Sequence, residues 1–160
     1  MTLRRKIFLV LTILWMITIF AFSSRPGELS SRDSGQIGML IGKVFVPEFD
    51  QWSEEEQKNF AEEIDYPVRK TAHAMEYTVL GILTMGLFMD QKQLGKKRFL
   101  LAWLLASGYA VTDELHQLFV PERSCRIFDV MVDSAGALAG VLILLWIERL
   151  RFKRNIFRER

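Results

Sequence analysis

The sequence has one cysteine, Cys125, and only two histidines and four prolines. One cysteine forms no intramolecular disulfide, so a scaffold held by disulfides is excluded. There is no HExxH and no Cys/His pairing at metal-ligand spacing, so neither a metal nor another cofactor is expected. A phosphate loop and a nucleophile elbow are both missing, as are internal repeats and low-complexity segments. Net charge is small, at +2. That average conceals the pattern, because the charges sit in blocks and the apolar residues in long runs.

The runs cover residues 7–22, 72–89, 99–109 continuing toward 120, and 130–147. Each is long enough, or nearly so, to cross about 30 Å of hydrocarbon. The expected fold class is all-α: a polytopic membrane protein with four transmembrane helices at about 7–23, 70–90, 98–119 and 127–148. One domain, 1–160, accounts for the chain. Arg4, Arg5 and Lys6 before the first run also fit the n-region of a signal peptide. The length of the run, with Trp15, Phe20 and Phe22 bulky toward its end, favours a retained helix.

Basic residues set the orientation. Arg4, Arg5 and Lys6 precede the first span, and Lys92, Lys96, Lys97 and Arg98 separate the second from the third. Arg149, Arg151, Lys153, Arg154, Arg158 and Arg160 follow the fourth. The positive-inside rule puts all three groups, and with them both termini, in the cytoplasm. The basic tail is then a topology and lipid-surface signal rather than a nucleic-acid patch. Residues 24–69 form a long acidic outer loop, with Pro26 and Gly27 ending the first helix. Ile37, Leu40, Ile41, Val44 and Phe45 predict an amphipathic helix ending near Pro47. Ser53 and Glu56 predict a capping box on a short helix over 54–64, closed by Tyr66 and Pro67.

Small residues recur where helices must touch: Ala102, Ala106 and Ala110 on the third span, Gly136 and Gly140 on the fourth. The expectation is packing within the chain rather than dimerisation. The ionisable residues, in contrast, collect at the outer ends. Lys70, His73, Glu76 and Tyr77 open the second span, and Asp113, Glu114 and Gln117 close the third. Arg123 and Arg126 occupy the turn, and Asp129 and Asp133 open the fourth. Four separate pieces of sequence thus carry polar residues to one membrane depth on one side. Ionisable groups inside membranes are expensive and point to function by default. The competing reading is that carboxylates and cations pair among themselves and fix helix register. Carboxylates this close together suit a general acid or a proton carrier. Lys70, Arg123 and Arg126 suit an anionic or zwitterionic ligand, such as a lipid-linked phosphate or a peptide carboxylate.

Taken in order, Arg69, Lys70, His73, Glu76 and Tyr77, then Asp113, Glu114 and Gln117, then Pro121 and Arg123, then Asp129, Asp133, Gly136 and Gly140 resemble the VanZ-like family. Phe22, Ser23, Ser24, Pro26 and Gly27 at the exit of the first span resemble it too, so the match covers nearly the whole chain. The resemblance implies a small multi-pass protein of the bacterial cell membrane, related to a determinant of teicoplanin resistance. It implies no mechanism. Asp133 stands where the resemblance predicts Asn, and Glu122 where it predicts Gly.

These readings lead to an expected function at the cell envelope: binding of a lipid-linked envelope precursor or a lipoglycopeptide, lowering susceptibility to teicoplanin-type glycopeptides. One alternative is an enzyme modifying or hydrolysing a lipid-linked envelope intermediate, with Asp113 or Glu114 as acid/base. Another is a small transporter that uses the carboxylates as proton carriers, which would have to oligomerise. An accessory structural subunit is the fourth. The expected partners are membrane lipid and such a ligand, with no nucleic acid.

Overall fold

Where each helix starts follows from local chemistry. In α1 (Leu3–Ser23), the Thr2 hydroxyl accepts from the Arg5 N–H at 3.2 Å, and the helix stops three residues short of Pro26. The computed structural model describes residues 1–91 and 94–158, leaving aside the side chains of 152, 153 and 155–158. Lys92 and Arg160 of the expected basic groups lie outside the described residues, as do the side chains of Lys153 and Arg158. After α1 come α2 (Gly27–Phe45), a single 3-10 turn (Phe49–Gln51), α3 (Glu54–Glu63), α4 (Asp65–Phe88), α5 (Lys97–Gln117) and α6 (Ile127–Arg158). Every regular element among the described residues is a helix, and none is a strand.

The stretch expected as an outer loop is therefore mostly folded. The capping box forms: Ser53 N–H donates to Glu56 Oε2 at 2.8 Å, and Glu56 N–H to Ser53 Oγ at 3.3 Å. Those bonds hold the Glu56 carboxyl below its usual value. Pro67 does not close α3 as expected; it lies in the first turn of α4, which starts at Asp65 rather than near 70. Proline fits there because first-turn N–H groups have no intrahelical acceptor to lose. At the other end of the chain, α6 continues to Arg158 instead of stopping near 148, since no glycine or proline interrupts it.

α1, α4, α5 and α6 alternate in direction and form a bundle around α4. α2 and α3 pack together across one end of it. The main seam lies between the parallel helices α4 and α6, and glycine makes it possible. A Cβ on Gly136 would strike the carbonyl oxygen of Ala74, one on Gly140 that of Thr78, and one on Gly81 that of Ala137. The GxxxG of α6 thus packs within the chain. Ala102, Ala106 and Ala110 are fully buried on α5 and serve the same close approach. Half-buried aromatics tie the helices by donating to backbone carbonyls: Trp15 Nε1 to Glu76 at 2.8 Å, Tyr109 Oη to Met16 at 2.7 Å and Trp103 Nε1 to Ser134 at 3.0 Å.

Two helices, α1 and residues 127–151 of α6, are long and apolar enough to cross a bilayer. Only 17% and 28% of their most apolar windows are buried, so most of that surface faces outward. Val10, Leu14 and Ile17 on α1 and Met131 and Trp146 on α6 are all more than half exposed.

Gly140→Ala should lower the unfolding temperature in detergent, by about 1–3 kcal/mol of stability, because the obstructing atoms are backbone. Gly108→Ala, with nothing within 4 Å of the added methyl, should be neutral or stabilising. Circular-dichroism melts of the two variants check the contrast.

Candidate functional site

The end of the bundle that carries α2 and α3 gathers the polar residues of all four long helices. The α4–α6 seam sets the register. Next to the Ala74–Gly136 contact, His73 Nδ1 stands 4.0 Å from Asp133 Oδ1. A further turn out, Lys70 forms an ion pair with Asp129. On α5, Asp113 and Glu114 are each 2% exposed. Asp113 Oδ2 accepts from Ser23 Oγ at 2.8 Å and from Gln117 Nε2 at 3.4 Å. Glu114 Oε2 accepts the Arg126 N–H at 3.0 Å, which ties the helix to the turn that follows it.

A pocket of about 140 Å³ opens over this cluster. α4 contributes Tyr66, Arg69, Lys70 and His73, α5 contributes Gln117, and α6 contributes Asp129. The α5–α6 turn supplies Glu122, Arg123, Ser124 and Arg126. Of the residues predicted from sequence, Lys70, His73, Gln117, Arg123 and Asp129 line the pocket. Asp113, Glu114 and Asp133 are buried outside its lining. Glu76 is half-buried on α4 at the turn that Trp15 of α1 contacts, and has no ion-pair partner among the described residues. Tyr77 is wholly buried in the core beside Tyr109, ring centroids 6.4 Å apart, and does not reach the pocket.

Tyr66 is not among the site residues expected from the sequence, and Arg69 enters there only as the first residue of the family motif; both line the pocket. Their signal is the spacing 66, 69, 70, 73, which puts them on one helical stripe once Asp65 starts the helix. Ser23, the partner of Asp113, sits in the motif at the end of α1.

The pocket has an excess of positive charge. Lys70 is matched by Asp129, and Arg69 by Asp65 at 2.7 Å. Arg123 Nε donates to the Arg25 carbonyl at 3.2 Å and Arg126 Nε to Ser124 Oγ at 3.1 Å. Neither Arg123 nor Arg126 has an ion-pair partner among the described residues. Burial, with the nearby Arg69 guanidinium, holds Arg123 below its usual value. Two planar guanidiniums outside any ion pair, at the rim of a pocket containing His73 and Lys70, suit the oxygens of a phosphate or carboxylate.

Glu122 adopts the left-handed conformation, φ 59°, where glycine is the unstrained residue. The glutamate side chain has its own use: its Oε2 accepts the Glu28 N–H at 2.8 Å, at the start of α2. Asp133 differs in this respect, since neither of its carboxylate oxygens has a hydrogen-bond partner among the described residues.

An outward-apolar helical bundle with a buried polar cluster at one end defines a membrane-type protein with a small polar pocket. A family model described as VanZ/LLP1 matches residues 8–148, and the chain belongs to the VanZ family. No curated protein and no solved structure matches the chain significantly.

Asp133→Asn should keep the fold and raise the unfolding temperature by a few degrees, because an amide is cheaper to bury than a carboxylate without hydrogen bonds. Asp113→Leu should lower stability by about 1–3 kcal/mol, since it strands the Ser23 hydroxyl and the Gln117 amide. Thermal unfolding followed by size-exclusion chromatography in detergent measures both.

Proposed function

We propose that the chain is a four-span protein of the bacterial cell membrane with both termini cytoplasmic. Its outer pocket binds the anionic headgroup of an envelope lipid or lipid-linked precursor, and occupancy of that site lowers susceptibility to teicoplanin-type glycopeptides. The observation that carries this reading is the pair Arg123 and Arg126, without ion-pair partners over a pocket of about 140 Å³. Water occupies about 30 Å³ per molecule, so the pocket takes a phosphate or an amino-acid carboxylate but not a whole glycopeptide. A lipoglycopeptide would engage it through one group only.

Family membership and the outward apolar surface of α1 and α6 support membrane insertion. The alternating direction of the four long helices supports four crossings. It also brings the described basic groups to the end opposite the pocket: Arg4 meets Asp90 at 3.6 Å, and Arg98 meets Glu148 at 3.3 Å. Binding is favoured over acid–base catalysis because Asp113 and Glu114, the candidate proton-transfer groups, do not line the pocket.

The lone Cys125, in the α5–α6 turn, provides a direct test of orientation. A membrane-impermeant maleimide should label it in intact cells, and the Lys96→Cys variant in a Cys125→Ser background should react only after lysis. The opposite pattern rejects the orientation. For the pocket, teicoplanin and vancomycin susceptibility in a sensitive Gram-positive host should separate wild type from Arg123→Gln and Lys70→Gln at equal membrane abundance. Wild type should protect selectively against teicoplanin, and each variant should weaken headgroup binding roughly 10- to 100-fold and lose protection. No protection by wild type would end the resistance reading.

A further inference from the structure

The larger cavity is at the other end of the bundle. A groove of about 1000 Å³ runs between the start of α5 and the later turns of α6. Leu142, Leu145, Trp146 and Arg149 line it from α6 and Lys96 and Phe99 from the α5 side. The four α6 residues are spaced i, i+3, i+4, i+7 and so form one stripe. The stripe changes from apolar to basic along its length, and Arg149 stands about 10 Å beyond Leu142 on the helix axis. Trp146, 63% exposed, lies between them. Indole is favoured at the boundary between acyl chains and headgroups.

The charges complete the pattern. Glu148 also lines the groove, and Arg98 neutralises it at 3.3 Å. Lys96 and Arg149 have no ion-pair partner among the described residues. The groove therefore offers apolar surface at one end and two uncompensated cations at the other. A phospholipid has the same polarity along its length. A net negative headgroup answers the excess charge, which a zwitterionic one does not.

We propose that this groove binds one anionic phospholipid, its phosphate on Lys96 and Arg149 and an acyl chain along Leu142, Leu145 and Trp146. The site rests on the membrane-inserted reading above and is independent of the outer pocket.

The test is native mass spectrometry of the full chain in detergent, titrated with dioleoyl phosphatidylglycerol or dioleoyl phosphatidylcholine. Wild type should retain phosphatidylglycerol about tenfold better. The double variant Lys96→Gln, Arg149→Gln should lose that preference, and Arg149→Lys should restore part of it in the Lys96 wild-type background. Lys97→Gln, a basic residue at the same end outside the groove lining, should leave it intact. Trp146→Ala should weaken retention of both lipids. Equal retention of the two lipids by wild type overturns the proposal, as does an unchanged preference in the double variant. A Trp146-dependent dimer that excludes lipid overturns it in favour of a second copy. Flotation of each sample with vesicles separates the causes: a chain that integrates but shows no preference refutes the groove alone, and one that fails to integrate refutes the membrane reading.

Discussion

The arrangement of this protein depends on direct backbone contact between α4 and α6. Gly81, Gly136 and Gly140 leave no side chain between the two helices, and a carbonyl occupies the space of each missing Cβ. Two helices this close have one workable register. That register brings His73 opposite Asp133 and Lys70 to Asp129. The polar cluster is thus a result of apolar packing below it. The ion pair does not need to supply the stability that holds it in place, which agrees with the weak net contribution expected of buried pairs.

Much of this was legible in the sequence, for identifiable reasons. Gly136 and Gly140, spaced by four in an apolar run, pointed to close helix contact, and Ser53 with Glu56 pointed to a cap; both features are formed. The gathering of polar residues from separate helices at one end followed from their positions at helix termini, and the bundle does gather them. What sequence could not give was depth. Asp113, Glu114 and Asp133 look equivalent to Asp129 in the sequence, yet only Asp129 reaches the pocket wall. Helical phase alone does not reveal which carboxylates a neighbouring helix covers. Pro67 reads as a stop in sequence but falls in the first turn of α4, which is why Tyr66 does not stand out as a pocket residue.

The two ends of the bundle treat charge differently. At the pocket end, cations and carboxylates interleave across α4, α5, α6 and the turn, and Arg123 and Arg126 stand outside any ion pair among the described residues. At the opposite end, the described cations project from helix termini, and the acids there, Asp90 and Glu148, are each matched by an arginine. Interleaved charges recognise a shape as well as a sign. Cations at helix termini respond chiefly to the sign of the adjacent surface.

Glu122 joins two parts of the chain that are distant in sequence. Its side chain holds the start of α2, the Pro121 carbonyl accepts the Gly27 N–H at 3.1 Å, and Arg123 holds the Arg25 carbonyl. Three bonds within a few residues clamp the α1–α2 corner to the α5–α6 turn, so the two behave as one mechanical part. A residue inserted into either strand of the clamp shifts the other with it and carries Arg123 away from the pocket. Fusion partners and reporter domains are therefore better attached at the basic end, away from this clamp.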